Sequence, residues 1–142
     1  MKPQIKYFST KQYKYELATD YQITVKIRPA SGIYHQYFIL TTNGLLTIKE
    51  GYMWDGPSGP TIDTKDFMRG SLIHDVLAQM MRMGLLDYKV YKKSANEELI
   101  RICIEDGMWR LRTKWVYLGV SITNDWCKPK LDRPEWEIIT AP

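Results

Sequence analysis

The sequence contains few cysteines, with two in 142 residues, Cys103 and Cys127. They lie far apart and form no C-x-x-C pair, which argues against a structural zinc site and against a dithiol redox motif. Cys103 falls within an apolar helical run and is expected to be packed. This cysteine usage fits a reducing compartment, with a single disulfide left open as an alternative.

Long apolar segments are also missing. The N-terminus, MKPQIKYFST, is polar and has no apolar h-region, which argues against a secretory signal. No run approaches the roughly 20 consecutive apolar residues that a membrane-spanning helix needs. These absences predict a soluble protein that is intracellular when it is made.

The chain has little excess charge of either sign. Twenty Lys and Arg face sixteen Asp and Glu, which gives a net charge of +4, and the basic residues are spread along the chain. A nucleic-acid-binding domain usually concentrates basic charge on one face, so a solvated surface is the favoured interpretation. The length and the 44% apolar content predict one globular domain, residues 1–142, with its own core.

Residues 1–50 have the pattern of β-strands. The run YQITVKI at 21–27 alternates apolar and polar residues, as a half-buried strand does. The run YHQYFILTTNGLLTIKEG at 34–51 predicts a hairpin, because Asn43-Gly44 lies between two apolar runs and tolerates the positive φ angles of a tight turn.

The period becomes helical over residues 63–124, after a Pro/Gly loop at 51–62. A first helix is predicted to begin after a cap at Asp63 or Thr64 and to stop at Gly84. Strands followed by helices predict an α+β fold: an N-terminal antiparallel sheet or hairpins, then about three packed helices.

Two further helices are expected. Ser94 and Glu97 form a capping box that predicts the start of the second helix, and Gly107 is its expected end. The third, within 108–122, is amphipathic. Its apolar side would carry Met108, Leu111, Trp115, Leu118 and Ile122. Its polar side, which could be solvated or could dock a partner, would carry Arg110, Lys114, Tyr117 and Ser121.

The C-terminal residues 125–142 contain three prolines and are predicted to form an extended tail. The run EWEII within this tail could return as a strand on the N-terminal sheet. Trp126 and Trp136 could instead help the tail to wrap onto a neighbouring subunit.

A His-Asp pair lies in the middle of the first predicted helix. His74 and Asp75 fall outside its main apolar face and are about 100° apart, as adjacent helical residues are. The small residues Ser71 and Ala78 lie between them on the helical wheel. Small residues at this place indicate that another helix or a ligand packs closely there.

Asn96 falls within the apolar arc of the second helix. A buried side-chain amide without hydrogen-bond partners costs about 1–3 kcal/mol, so a partner is expected. His74 on the facing helix is one candidate. The alternative is that Asn96, two residues after Ser94, helps to cap its own helix.

Asp55 begins the loop segment DGPSGP, whose prolines and glycines exclude a helix or a central strand. An aspartate at this position could cap a turn. It could also join Asp75 around a hard cation, for which carboxylates and loop carbonyls are suitable ligands.

These motifs, in this order, resemble a domain-of-unknown-function family that is common in tailed bacteriophages and prophages. The resemblance covers roughly residues 14–120 and includes TIKEGYMWDG before the loop. The matching residues are Asp55, Gly56, Ser58 and Pro60, then Arg69, His74 and Asp75, then Ala95-Asn96. The family has no settled activity, so the resemblance implies a phage context, with Gly56, Ser58, Pro60 and Arg69 as structural residues.

Two positions depart from the family pattern. Asn96 stands where the family has an aspartate, and Ala78 stands where it often has an aromatic residue. Asn96 can hydrogen-bond a neutral imidazole but cannot stabilise an imidazolium as a carboxylate does. A catalytic site in the family would therefore be incomplete in this chain.

The pattern is also similar, more distantly, to small calcium-dependent phospholipases. This likeness implies a cation-assisted hydrolase in which His74 is the general base, Asp75 is a cation ligand, and Asn96 occupies the place of the residue that orients the histidine. Loop 55–60 would supply further oxygens, and the cofactor would be Ca²⁺ or another divalent cation. The asparagine, the smaller number of loop glycines and the lack of those enzymes' disulfides argue against it.

We therefore expect a phage-encoded accessory protein without a cofactor that acts by protein–protein contact, as a virion or connector component or as a host-interaction factor. Its partners would be other phage proteins or a host protein, in the cytoplasm of the infected bacterium or in the virion. Five Trp and ten Tyr favour this interpretation, because aromatic residues are enriched at the cores of interfaces. The His74 group would then be structural or degenerate.

Overall fold

The structure, a computed structural model, describes residues 4–9, 15–56 and 64–122. The strands are β1 (Tyr7–Ser9), β2 (Tyr15–Leu17), β3 (Tyr21–Thr24), β4 (Ile33–Tyr34), β5 (Phe38–Leu40), β6 (Leu45–Ile48) and β7 (Met53–Trp54). The helices are α1 (Lys65–Arg82), α2 (Tyr88–Glu105) and α3 (Arg110–Ile122). The predicted α+β class is confirmed; the predicted extended tail lies outside the described residues.

The strands form two antiparallel sheets, with the orders β1-β2-β7 and β3-β6-β5-β4. The predicted hairpin is present as β5 and β6, in which Phe38 pairs with Ile48. Gly44 closes its turn with a φ of +89°, and a Cβ at this position would lie 2.4 Å from the Val25 carbonyl oxygen. The turn therefore requires glycine for its backbone angle and for the close approach of the neighbouring chain.

The strand predicted over 21–27 is shorter than expected, because regular pairing ends at Thr24. Val25 and Ile27 remain buried beyond its end. The Val25 amide donates to the Gly44 carbonyl at 2.8 Å, and the Lys26 amide donates to the Glu98 carboxylate at 2.8 Å. This segment therefore joins the sheet to α2 rather than extending the sheet.

α1 is the central element of the core. It is buried on nearly all sides, since apolar strand residues pack on one part of its surface and α2 packs on another. Most of its apolar residues form one cluster with strand residues such as Leu17, Phe38 and Leu46, whereas Phe67 belongs to a second cluster with residues of α2 and α3. Residues that a helical wheel assigns to its polar side, His74 among them, consequently lie in the interior.

α1 and α2 approach each other closely at Gly70. A Cβ at this position would lie 2.8 Å from the Cys103 sulfur and 3.2 Å from the Leu99 carbonyl oxygen. Cys103 is buried and free, as expected, and burial raises the pKa of its thiol to about 12. Gly70 thus accommodates the close approach of α2. Ser71, one of the two small residues noted in the sequence, instead accepts a hydrogen bond from Trp54 of β7.

The start predicted for α2 is wrong. The helix begins at Tyr88, and its cap is Asp87, whose carboxylate accepts hydrogen bonds from the Lys89 and Val90 amides at 2.8 and 3.2 Å. Ser94 lies inside the helix, so it caps nothing. A Ser-x-x-Glu pattern inside a helix has no capping role, because the backbone amides there already donate to the carbonyl oxygens of the preceding turn.

The other helix bounds agree more closely with the sequence. Thr64 precedes α1, as predicted, although its side chain forms no capping bond to the backbone. Gly84 and Gly107, which follow α1 and α2, have φ angles of +73° and +96°. None of the three helices is both long and apolar enough to cross a membrane.

Candidate functional site

Two hydrogen bonds attach β7 and its flanking residues to one stripe of α1. The Tyr52 hydroxyl donates to Gln79 Oε1 at 2.9 Å, and Trp54 Nε1 donates to Ser71 Oγ at 3.2 Å. Residues four apart share a helix face, so these contacts lie on either side of Asp75 along the helix. The stripe therefore places Asp75 beside the start of the 55–60 loop.

Asp75 and Asp55 are electrostatically coupled. Burial raises the pKa of Asp75 to about 7; the Arg82 cation lowers it, and the Asp55 carboxylate raises it. Asp55 is exposed and Asp75 is half-buried. The structure thus brings together the two carboxylates that the sequence nominated as cation ligands, and one of them titrates near neutral pH.

Asp75 and Arg82 also affect the pKa of Tyr52. Its phenol is 6% exposed, and its pKa is raised, first by burial and then by the Asp75 carboxylate, while Arg82 lowers it. Tyr52 therefore stays protonated at neutral pH and donates its hydroxyl hydrogen to Gln79. Its role here is to hold β7 against α1.

His74 faces α2 rather than β7. Its Nε2–H donates to Asn96 Oδ1 at 2.8 Å, and the two residues are 5% and 3% exposed. Burial lowers the pKa of His74, and the Asn96 bond opposes that shift. The ring is therefore neutral at pH 7, and Asn96 accepts from it instead of capping its own helix.

The four nominated residues form two pairs on adjacent positions of α1. His74 contacts Asn96 on α2, whereas Asp75 is coupled to Asp55 after β7. Adjacent positions diverge by about 100°, so the pairs face different elements. Their chemistry differs accordingly: a buried neutral imidazole held by an amide, and the Asp75 carboxyl, whose pKa is raised to about 7 beside the Asp55 carboxylate.

The described residues supply few ligands for a cation. No group of three or more His, Cys, Asp and Glu side chains in the described ranges is arranged to hold a metal ion. Ca²⁺ takes about six to eight oxygens, of which Asp55 and Asp75 offer the nearby carboxylates. Ser58 and Pro60 of the loop lie outside the described residues, whereas Gly56 is buried with a φ of +74°.

Arg69 serves as a structural tie. The guanidinium, 3% exposed, donates to both oxygens of Asp106 through Nε and Nη2, at 3.0 and 2.9 Å. It also donates to Glu105 at 2.6 Å and to the Tyr21 hydroxyl at 3.0 Å. It thereby joins α1 to the end of α2 and to β3, in a bidentate geometry that lysine cannot reproduce.

The feature that the sequence did not locate is the outer surface of α3. Leu111, Trp115 and Leu118 are 67%, 68% and 50% exposed, and we call these three residues the α3 face. The helix packs inward through Thr113 and Val116 instead. Of the predicted apolar side, Leu111, Trp115 and Leu118 lie on the exposed side of the helix, whereas Met108 precedes α3 and is buried. The Ile122 side chain lies outside the described residues.

A groove and two cations adjoin the α3 face. The groove, of about 470 Å³, lies between α2 and α3 and is lined by Ile100, Thr113, Lys114, Tyr117, Leu118 and Ser121. Arg112 is engaged by Asp66 at 3.3 Å. Within the described residues no carboxylate forms an ion pair with Arg110 or Lys114, which are both exposed.

Comparison of the chain with protein-family models, with curated proteins and with solved structures found no match. The sequence resemblance to a phage family therefore stays a prediction, and the function has to be argued from the geometry of this chain.

Proposed function

We propose that this protein is a bacteriophage-encoded accessory protein that acts by binding another protein through the α3 face. The observation that carries the proposal is the exposure of Leu111, Trp115 and Leu118 on one side of one helix. A contiguous apolar patch on a soluble domain is typical of an interaction site. Trp109, directly before α3, is also exposed, at 82%.

The energetics favour a covered state. Burying a Leu side chain is worth about 1.5–3 kcal/mol relative to leaving it in water, and an aromatic residue brings a larger contact area. Tryptophan is also enriched among the residues that dominate binding energy at interfaces. Thr113 and Val116 already anchor α3 to the domain, so the exposed side is available for a contact without unfolding.

The phage assignment rests on the sequence motifs alone, whose residues other than Ser58 and Pro60 lie within the described ranges. Under this proposal the partner is another phage protein or a host protein. The protein acts in the cytoplasm of the infected bacterium or as part of the virion. The His74–Asn96 bond then stabilises the α1–α2 pair and has no catalytic task.

The test is site-specific photo-crosslinking in infected cells. A photoreactive amino acid at position 115 should yield a covalent adduct with another phage or host protein. The matched control places the same group at Val90, which is 62% exposed on α2. Equal adducts at both positions, or none at position 115, would contradict the proposal; detection in purified particles would distinguish a virion role from an intracellular one.

A second candidate is the cation-assisted hydrolase, and the coupling between Asp55 and Asp75 favours it. A divalent cation at these carboxylates would supply charge for a developing oxyanion. As general base, His74 would have to take a proton from a water, and its ring is buried with Nε2 bonded to Asn96. Calorimetric titration with calcium chloride tests this candidate: binding by the wild type that Asp75→Ala abolishes supports it, and no heat from either protein rejects it.

A further inference from the structure

The spacing of the α3 face matches a helical partner. Leu111, Trp115 and Leu118 follow one another by four and then three residues, which is the seam of a heptad pattern. Such a seam accepts side chains from a helix that lies along it. α3 has 13 residues and is therefore about 20 Å long, so three to four turns of a partner helix would cover it.

The groove lies at the flank of this seam where a second helix would insert its side chains. Leu118 belongs both to the α3 face and to the groove wall, and Ile100 of α2 forms the opposite wall. The groove therefore continues the apolar surface from α3 toward α2. A large apolar residue of the partner could enter the groove while its neighbours pack on Trp115.

The charges beside the seam select the partner's chemistry. α3 carries Arg110, Arg112 and Lys114 and contains no acidic residue. Asp66 engages Arg112. Lys114 lines the groove, and the exposed Arg110 precedes it by one helical turn on the same side of α3. Carboxylates facing them would be complementary, whereas a second copy of α3 would bring further positive charge to the same surface.

We propose that the α3 face and the adjoining groove bind an amphipathic helix of a partner protein that carries Asp or Glu beside its apolar stripe. This inference rests on the proposed contact function and adds the fold and charge of the partner segment. It assigns the apolar contact to Leu111, Trp115 and Leu118, and the charge selection to Arg110 and Lys114.

Two synthetic probes test the charge selection. Both are fluorescein-labelled helical peptides of about three heptads with leucine at the seam positions. One carries glutamate at the flanking positions, and the other carries lysine. With the full chain, fluorescence anisotropy should give the glutamate peptide an affinity at least about tenfold higher than that of the lysine peptide, and Arg110→Glu combined with Lys114→Glu should reverse the preference.

The apolar contact has its own controls. Trp115→Ala should lower the affinity for the glutamate peptide at least about tenfold. Val90→Ala, which changes an exposed apolar residue on α2, should leave this affinity unchanged. Equal affinity for the two peptides, or no binding of either, overturns the inference. Circular dichroism of each variant shows whether a loss of binding comes from misfolding; a folded Trp115→Ala variant that binds normally also overturns it.

Other occupants of the face are distinguished by thiol labelling in the full chain. Leu111→Cys in a Cys127→Ser background should react as fast as Val90→Cys at every protein concentration. Slow labelling at every concentration would mean that the chain covers the face itself, and slow labelling only at high concentration would mean a second copy; either result overturns the inference.

The experiments distinguish a failure of this inference from a failure of the proposed function. Crosslinked adducts at position 115 together with peptides that do not discriminate by charge would reject the acidic helix and leave the contact function standing. Absence of adducts at position 115 would reject the contact function whatever the peptides do.

Discussion

His74 and Asn96 are joined by a hydrogen bond of 2.8 Å between two buried side chains on facing helices. Removing the amide leaves the ring N–H without its acceptor in the interior. Asn96→Ala should therefore lower the free energy of unfolding by about 1–3 kcal/mol. Urea denaturation at pH 7 measures the change, with Glu97→Ala, the exposed neighbour, as the control.

Asn96→Asp tests the same contact electrostatically. A carboxylate at this position favours the imidazolium, so the pKa of His74 should rise from its lowered value. NMR titration of the His74 ring in the wild type and in the variant measures the shift. An unchanged His74 titration would contradict the hydrogen bond between His74 and Asn96.

Asp75 should make folding stability depend on pH. Its pKa is about 7 in the folded protein and 3.8 in the unfolded chain, so the folded state binds the extra proton between these values. This contribution to stability is full below about 3.8 and is lost as the pH rises through 7. Asp75→Asn should consequently stabilise the protein relative to wild type more at pH 8 than at pH 5.

His74 titrates with the opposite sign, so in the wild type alone its effect on stability opposes that of Asp75. The comparison of wild type with Asp75→Asn isolates Asp75, because both proteins contain His74. The lowered pKa of His74 means that stability falls as the pH decreases below its unfolded value of 6.5. Denaturant unfolding at both pH values gives the difference directly. A stability difference between the two proteins that is the same at pH 5 and pH 8 would refute the raised pKa of Asp75.

The proximity of Asp55 to Asp75 can be checked separately. Asp55→Asn removes a neighbouring negative charge and should lower the pKa of Asp75 toward its ordinary value. Carboxyl-carbon NMR titration of Asp75 measures this, with Asp87→Asn, at the start of α2, as the remote control. A response to Asp87→Asn as large as that to Asp55→Asn would mean that the coupling is not specific to the loop.

Gly70→Ala tests the close approach of α1 and α2. The added Cβ would lie 2.8 Å from the Cys103 sulfur, so the helices must move apart or the sulfur must shift. We expect a loss of about 1–3 kcal/mol in the free energy of unfolding. Gly119→Ala in α3 is the matched control: a Cβ added there would have no neighbour within 4 Å among the described residues, so the substitution should stabilise the helix by up to about 1 kcal/mol.

Arg69→Met should be among the most destabilising substitutions. It leaves the Asp106 carboxylate, with 17% of its side chain exposed, without the bidentate donor. Breaking a buried ion pair from one side costs about 3–5 kcal/mol, and the partial exposure of Asp106 and Glu105 favours the lower end. Thermal unfolding measures the loss; Lys93→Met, which breaks an exposed pair with Glu97, should change little.

The sequence predicted the hairpin and the end of α1 well, because Asn43-Gly44 and Gly84 act through local backbone angles. It misplaced the start of α2 at Ser94. A capping pattern marks the start of a helix only when no helical turn precedes it. The cap at Asp87 was visible in the sequence as an aspartate shortly after Gly84. A local signal was therefore present, and a competing local signal obscured it.

The candidate site was also predicted from the sequence only in part. Helical spacing predicted that Asn96 could meet His74, and the structure contains that bond. Spacing could not tell that His74 and Asp75 serve different neighbours, because that depends on which elements pack on each side of α1. The predicted pairing of Asp55 with Asp75 depended on where the loop crosses α1, which Trp54 and Tyr52 fix through their bonds to this helix.

By itself the sequence determined the α+β order of elements and the sets of residues that share a side of each helix, since both follow from the periodic geometry of the backbone. The tertiary structure decided which side of each helix faces inward. It enclosed α1, so that His74 became neutral and buried, and it turned Leu111, Trp115 and Leu118 of α3 outward. The physical reason is that periodicity fixes angles about a helix axis, whereas the rotation of that axis depends on packing between residues distant in sequence.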